Sequence, residues 1–146
     1  MMRKTGNEDY HLEFEEDLKE QDLKILTDGI NDDAYDKRQL DPLRAFSIML
    51  KSKDGTVCGG VTGFTFFGCL YTDMLFVKEH LRGQGFGTKL MLEAEKIGYS
   101  RNCTFATVNT MDFEALQFYR LLRYEIEFVR EGFEKDSKML MLRKKL

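Results

Sequence analysis

The sequence predicts an α/β (α+β) domain on a mixed sheet, and three observations carry that prediction. Residues 45–51, 56–66 and 70–78 are short apolar segments joined by tight turns, the pattern of an antiparallel meander. Apolar residues then recur at helical spacing over residues 86–97, and a short apolar run follows at 103–108, making a strand–helix–strand unit. The length, 146 residues, suits a single domain over residues 1–146 that can bury a sizeable core. A meander followed by such a unit gives one mixed, mostly antiparallel sheet with helices packed on it.

In chain order, Tyr10-His11-Leu12-Glu13-Phe14-Glu15 alternates apolar and polar residues, the period of a strand. Leu18, Leu23, Ile25, Leu26 and Ile30 follow at roughly helical spacing. Residues 31–43 are polar, contain the only proline, Pro42, and read as a loop with room for a short helix. Lys53-Asp54-Gly55 marks a hairpin turn, because Asp-Gly tolerates the positive φ such turns need. Phe67-Gly68-Cys69 marks the next turn. Phe86, Leu90, Ala94 and Ile97 share one helical stripe, and Lys89 with Glu93 forms an i,i+4 pair on another side. Residues 114–122 predict a second helix, 124–129 a strand, and 138–143 a closing strand. No repeat, low-complexity tract or Gly/Ser linker marks a domain boundary.

The composition, 42% hydrophobic and 32% charged, is that of a globular protein. No stretch approaches the roughly 20 apolar residues that cross a membrane. The first residues lead into acidic ones rather than an apolar run, so the expectation is a cytoplasmic protein without a signal peptide. Cys58, Cys69 and Cys103 are odd in number, form no Cys-x-x-Cys pair and sit among apolar or aromatic residues, which points to buried reduced thiols. The two histidines lie far apart, and no zinc set or other metal is expected. A net charge of −3 does not favour nucleic acid. From Glu13 to Asp41 acidic residues far outnumber basic ones, which suits a cationic amine and equally a solvated helix face.

The most informative segment is Val77-Lys78-Glu79-His80-Leu81-Arg82-Gly83-Gln84-Gly85-Phe86-Gly87-Thr88, between a strand and a helix. Glycines at alternate positions expose successive amide N–H groups and let a ligand approach the backbone. The helix starting near Gly85 adds the partial positive charge of its N-terminus, and Arg82 a full charge with bidentate hydrogen bonds to phosphate. A Walker loop needs Gly-Lys-Ser/Thr, whereas the order here is Gly87-Thr88-Lys89; a dinucleotide fingerprint needs a third glycine where Thr88 stands.

The spacing Arg82-x-x-Gly85-x-Gly87, after the hydrophobic strand Met74-Leu75-Phe76-Val77 and before an amphipathic helix, resembles the coenzyme-A loop of the GNAT superfamily of N-acetyltransferases. A second segment, Ala115-Leu116-Gln117-Phe118-Tyr119-Arg120-Leu121-Leu122-Arg123-Tyr124, resembles that family's Ala-x-x-Phe-Tyr-x-x-x-Gly-Phe/Tyr. Two positions depart from the pattern: Arg123 stands for the usual Gly, and Asp112 for a common Asn.

The resemblance implies a six- to seven-stranded sheet flanked by helices and splayed at the cofactor-binding strand. It implies an enzyme that moves an acetyl or longer acyl group from acetyl-CoA directly to a primary amine of a small molecule or peptide. Coenzyme-A contacts are implied for Leu75, Phe76 and Val77 on the strand, with the Phe76 amide polarising the thioester carbonyl. The loop would contribute Arg82, Gly83, Gln84, Gly85, Phe86, Gly87 and Thr88, and the following elements Asn109 and Phe118. Tyr119 would be the general acid that protonates the departing thiolate, a phenol with an ordinary pKa near 10 being matched to that task.

Some relatives carry a glutamate on the strand, eleven residues ahead of the motif's first position; here that position is Tyr71. Asp73, two residues later and on the same face of a regular strand, is the expected base, acting directly or through water. Glu79 and His80 lie in the loop and are the weaker choices of base, and Cys103 as an acyl-accepting nucleophile has no evident partner base, which favours a buried structural role. Residues 17–43 and 129–137 are expected to select the acceptor, and a homodimer stays open. A non-catalytic acyl-CoA-binding regulatory module is the alternative function, because a fold does not guarantee turnover.

Overall fold

The computed structural model describes residues 9–146. Six strands form one sheet in the order β1-β2-β3-β4-β6-β5. β1 (Arg44–Lys51), β2 (Val57–Phe66) and β3 (Cys69–Val77) are the antiparallel meander. The β1–β2 turn is tied locally: the Asp54 carboxylate accepts from the Thr56 amide at 3.0 Å, and its bonds to Ser52 and Thr56 hold the carboxyl down near about 2. Helix α2 (Phe86–Ser100) carries the chain from β3 to β4 (Phe105–Met111), which runs parallel to β3. A parallel neighbour requires such a crossover, and the apolar stripe of α2 supplies its packing face. After α3 (Leu116–Leu121), β5 (Glu125–Phe133) turns back into β6 (Ser137–Lys145), which inserts beside β4.

The core lies between the sheet and α2. Leu90, Met91, Ala94 and Gly98 of α2 are buried, with Val61, Leu70, Ala106, Val108, Leu140 and Leu142 beneath them. These strand residues share one face, as the pairings Leu70–Ala106 and Val108–Leu142 require. Glu95, also buried on α2, forms an ion pair with Lys144 of β6 that fastens the helix to that strand.

The predicted strand at residues 10–15 does not form: these residues pair with no strand, and alternation without a partner ladder fixes no sheet. The predicted loop from residue 31 is also corrected. α1 runs over Glu20–Arg38 and ends at Gln39, whose φ is 56°. Its second half lacks an apolar period but also lacks any proline or glycine, so nothing breaks it before Pro42. Elsewhere the differences are at boundaries: α3 is shorter than residues 114–122, while β5 and β6 each extend to nine residues. Among the described residues, no helix is long and apolar enough to cross a membrane.

Candidate active site

The site begins where the sheet opens. β3 pairs with β4 only over Cys69–Thr72 against Phe105–Val108, and the rest of β3 has no strand on that side. On its other side, Thr62 stands opposite Met74 but Gly63 opposite Thr72, so Asp73 is the extra residue of a β-bulge. Beyond the bulge the ladder to β2 fixes which groups face the gap. The Lys78 N–H donates to the Cys58 carbonyl at 2.9 Å, and Phe76 is opposite Gly60 two residues earlier. Antiparallel pairs alternate between bonded and non-bonded, so the Phe76 amide points at β2 while those of Leu75 and Val77 point into the gap. This corrects the expectation that Phe76 supplies the polarising amide. Its side chain still walls the site.

The loop after β3 is held from within. Arg82 Nε donates to the Val77 carbonyl at 2.8 Å, and its guanidinium lies 5.4 Å from the centre of the Phe76 ring. Gly83 and Gly85 have φ values of 73° and 86°, the left-handed region in which other residues are strained. A Cβ at either would meet nothing within 4 Å, so backbone conformation, not space, demands glycine there. Gly87 differs: a Cβ would lie 3.3 Å from the Phe118 ring, so its absence lets α3 close on the first turn of α2. Gly85 is the N-cap of α2 and offers no side-chain cap, which leaves the first amides of α2 to a ligand or water.

Gap, loop and α3 enclose a cavity of about 560 Å³. Leu75, Phe76 and Val77 form one wall; Arg82, Gly83, Gly85, Phe86, Gly87 and Thr88 form the base; Glu114, Ala115 and Phe118 close the far side. Tyr119 stands behind that wall, 7% exposed, with its ring edge-on to Phe118 at 5.1 Å and to Tyr124 at 5.8 Å. Burial, and secondarily the charge of Glu114, pushes its hydroxyl up to about 12.

The sequence profile of the acetyltransferase (GNAT) family matches residues 8–123. The chain belongs to this family. It is 41% identical over 76 residues to an acetyltransferase of Agrobacterium fabrum, a match covering 52% of this chain and 56% of that protein. It is 30% identical over 86 residues to the blasticidin-S acetyltransferase of Streptomyces morookaense, covering 58% and 63% of the two chains. The matches thus span less than two thirds of either relative. In three dimensions the chain resembles a crystal structure from Agrobacterium tumefaciens assigned as an acetyltransferase. That alignment has a TM-score of 0.79 and 26% identity, over 94% of this chain and 100% of the other.

On this GNAT sheet, ten of the twelve residues expected to contact coenzyme A line the one cavity, and two do not. Gln84 is exposed, and its Nε2 donates to the His80 carbonyl at 3.1 Å, bracing the loop. Asn109 lies on β4 with Nδ2 donating to Tyr71 Oη at 3.5 Å, away from the cavity wall. Asp73 is neither desolvated nor on a regular strand. It is exposed on the bulge, accepts from Thr62 Oγ1 at 2.6 Å, and lines a separate groove with Ser47, Phe64 and Met74. Leu81, Glu114 and Ala115 were not anticipated as wall residues. Ala115 belonged to the quoted motif and Leu81 to its lead-in, but no pattern marks Glu114. Cys69 and Cys103 are buried, and burial pushes the Cys69 thiol up to about 11 and raises that of Cys103, which makes both poor nucleophiles. Cys58 is only half-buried.

Proposed function

We propose that this protein is an acetyl-CoA-dependent N-acyltransferase acting on an amine-bearing small molecule or peptide. The observation that carries the reading is the opening of the sheet beyond Thr72, directly over the left-handed Gly83 and Gly85 at the start of α2. An extended pantetheine chain fits beside β3 as an added strand would, bonded to the Leu75 and Val77 groups that face the gap. The pyrophosphate then meets the first amides of α2 and the charge of Arg82. The Leu75 or Val77 amide polarises the thioester carbonyl. The amine attacks that carbonyl, a C–N bond forms as the C–S bond breaks, and Tyr119 gives its proton to the sulfur. Burial raises the Tyr119 hydroxyl to about 12, so it is protonated before the reaction but is a weaker acid than an ordinary phenol near 10. Asp73 takes the proton lost by the amine, through water, from the neighbouring groove.

The blasticidin-S acetyltransferase among the relatives, together with the acidic stretch from Glu13 to Asp41, favours a cationic small-molecule acceptor. A second reading, an acyl-CoA-binding module without turnover, draws on one observation: Tyr119 lies behind Phe118 rather than on the cavity wall. Calorimetric titration with coenzyme A, ATP and NAD tests the binding half. Coenzyme A is expected to bind and the others not; equal or better binding of ATP or NAD overturns it. Tyr119→Phe separates the two readings, since only in the catalytic one does it slow turnover while leaving coenzyme-A affinity in place.

A further inference from the structure

The face of the sheet opposite α2 has no helix on it among the described residues. Asn109, in the middle of the central strand β4, is exposed; Tyr71, Phe105 and Thr107 beside it are only half-buried. Met74 and Phe128 on the same face are more than half exposed. In a sheet covered on both sides, central-strand residues would be buried on both faces.

α1, meanwhile, contributes no residue to the core. None of its 19 residues is buried, although Leu23, Leu26 and Ile30 repeat at helical spacing and are 48–66% exposed. Leu12 and Phe14 ahead of it are almost wholly exposed, and Tyr10 is 77% exposed. A 19-residue helix with an unburied apolar stripe does not hold itself together in water; packing has to stabilise it.

The areas match in size. The chain exposes 11,700 Å², whereas a compact 17.1 kDa monomer exposes about 7,800 Å². Setting aside roughly 1,400 Å² for the first eight residues, the most such a stretch can expose, leaves an excess of about 2,500 Å². That is the area per chain of a large obligate homodimer, well beyond the roughly 800 Å² per partner of an ordinary complex. Asp9–Asp36 holds eleven acidic residues and two lysines, and the bare face offers it Arg130 beside Met139, while Arg143 there is paired with Glu127. Alignment over 94% of this chain with the solved Agrobacterium tumefaciens structure takes in most of α1, so the helix is a shared part of the fold.

We infer that a second copy of this chain covers the bare face: the two copies exchange their N-terminal arms and α1 helices, each packing Leu23, Leu26 and Ile30 onto the other's sheet. The groove beside Asp73 lies on this face, so each α1 also roofs the partner's acceptor side. Light scattering coupled to size exclusion on the full chain should give twice 17.1 kDa at micromolar concentration. The double substitution Leu26→Asp with Ile30→Asp should give a monomer that keeps cooperative unfolding, because α1 adds nothing to its own core. A wild-type monomer, or a dimer that survives the double substitution, overturns the inference. Should the variant not fold, unmodified protein decides: isotopically light and heavy chains are mixed, unfolded and refolded together, then cross-linked through amines. Light–heavy links from Lys24 of α1 to Lys145 are expected, and links confined to single chains refute the exchange.

Discussion

Tyr119 concentrates the residue-scale argument. Its hydroxyl is raised by burial, so the neutral form is favoured in the folded state relative to an ordinary tyrosine near 10. The sign follows directly: the stabilisation is fully present below pH 10 and is lost as pH rises toward about 12, where the folded group ionises. A two-unit shift corresponds to roughly 2–3 kcal/mol. Tyr119→Phe should therefore unfold less steeply between these pH values, as followed by circular dichroism. The same substitution keeps the ring against Phe118 and Tyr124 but removes the acid, and kcat should fall on the order of 10²-fold or more. The KM for acetyl-CoA should stay within a few-fold of wild type. Arg123 makes a different point. The family motif has glycine there, and the structure shows why: φ at Arg123 is 72°. The backbone demand persists though the residue has changed, so Arg123→Gly should raise stability by about 0.5–1 kcal/mol in urea titrations.

At the scale of elements, the loop between β3 and α2 was legible because its chemistry is local. Alternate glycines and an arginine act within a few residues and line one cavity, while the apolar stripe that follows packs α2 onto the sheet. Gly85→Ala should weaken coenzyme-A binding about tenfold by calorimetry, because alanine disfavours a φ of 86° by about 1–2 kcal/mol. What the sequence left hidden depends on partners far away in the chain. The Asp73 bulge exists only through the register of β3 on β2, so a regular-strand reading put this carboxylate on the wrong footing. The amide that faces the gap likewise follows from the bond between Lys78 and Cys58. Residues 10–15 show the converse, a strand-like period with no ladder to join. Asp73→Asn tests the bulge's role: kcat/KM should drop while coenzyme-A affinity stays in place, whereas an unchanged kcat/KM removes Asp73 as the proton acceptor.

For the whole molecule, the fold class and the order of elements followed from length, turns and periodicity. The insertion of β6 between β4 and β5 did not, since a final hairpin can add to a sheet in either sense. That insertion puts Lys144 beside Glu95 and locks α2, with the loop at its head, onto the sheet. The outcome is a packed sheet and helix beneath the open stretch of β3, the support that the proposed thioester substrate requires. The most direct measurement is release of free thiol from acetyl-CoA, followed with and without a panel of cationic small-molecule and peptide amines. The account predicts thiol release that depends on the amine, matches acylated product one for one and collapses in Tyr119→Phe. Coenzyme-A binding without amine-dependent thiol release across the panel would contradict it.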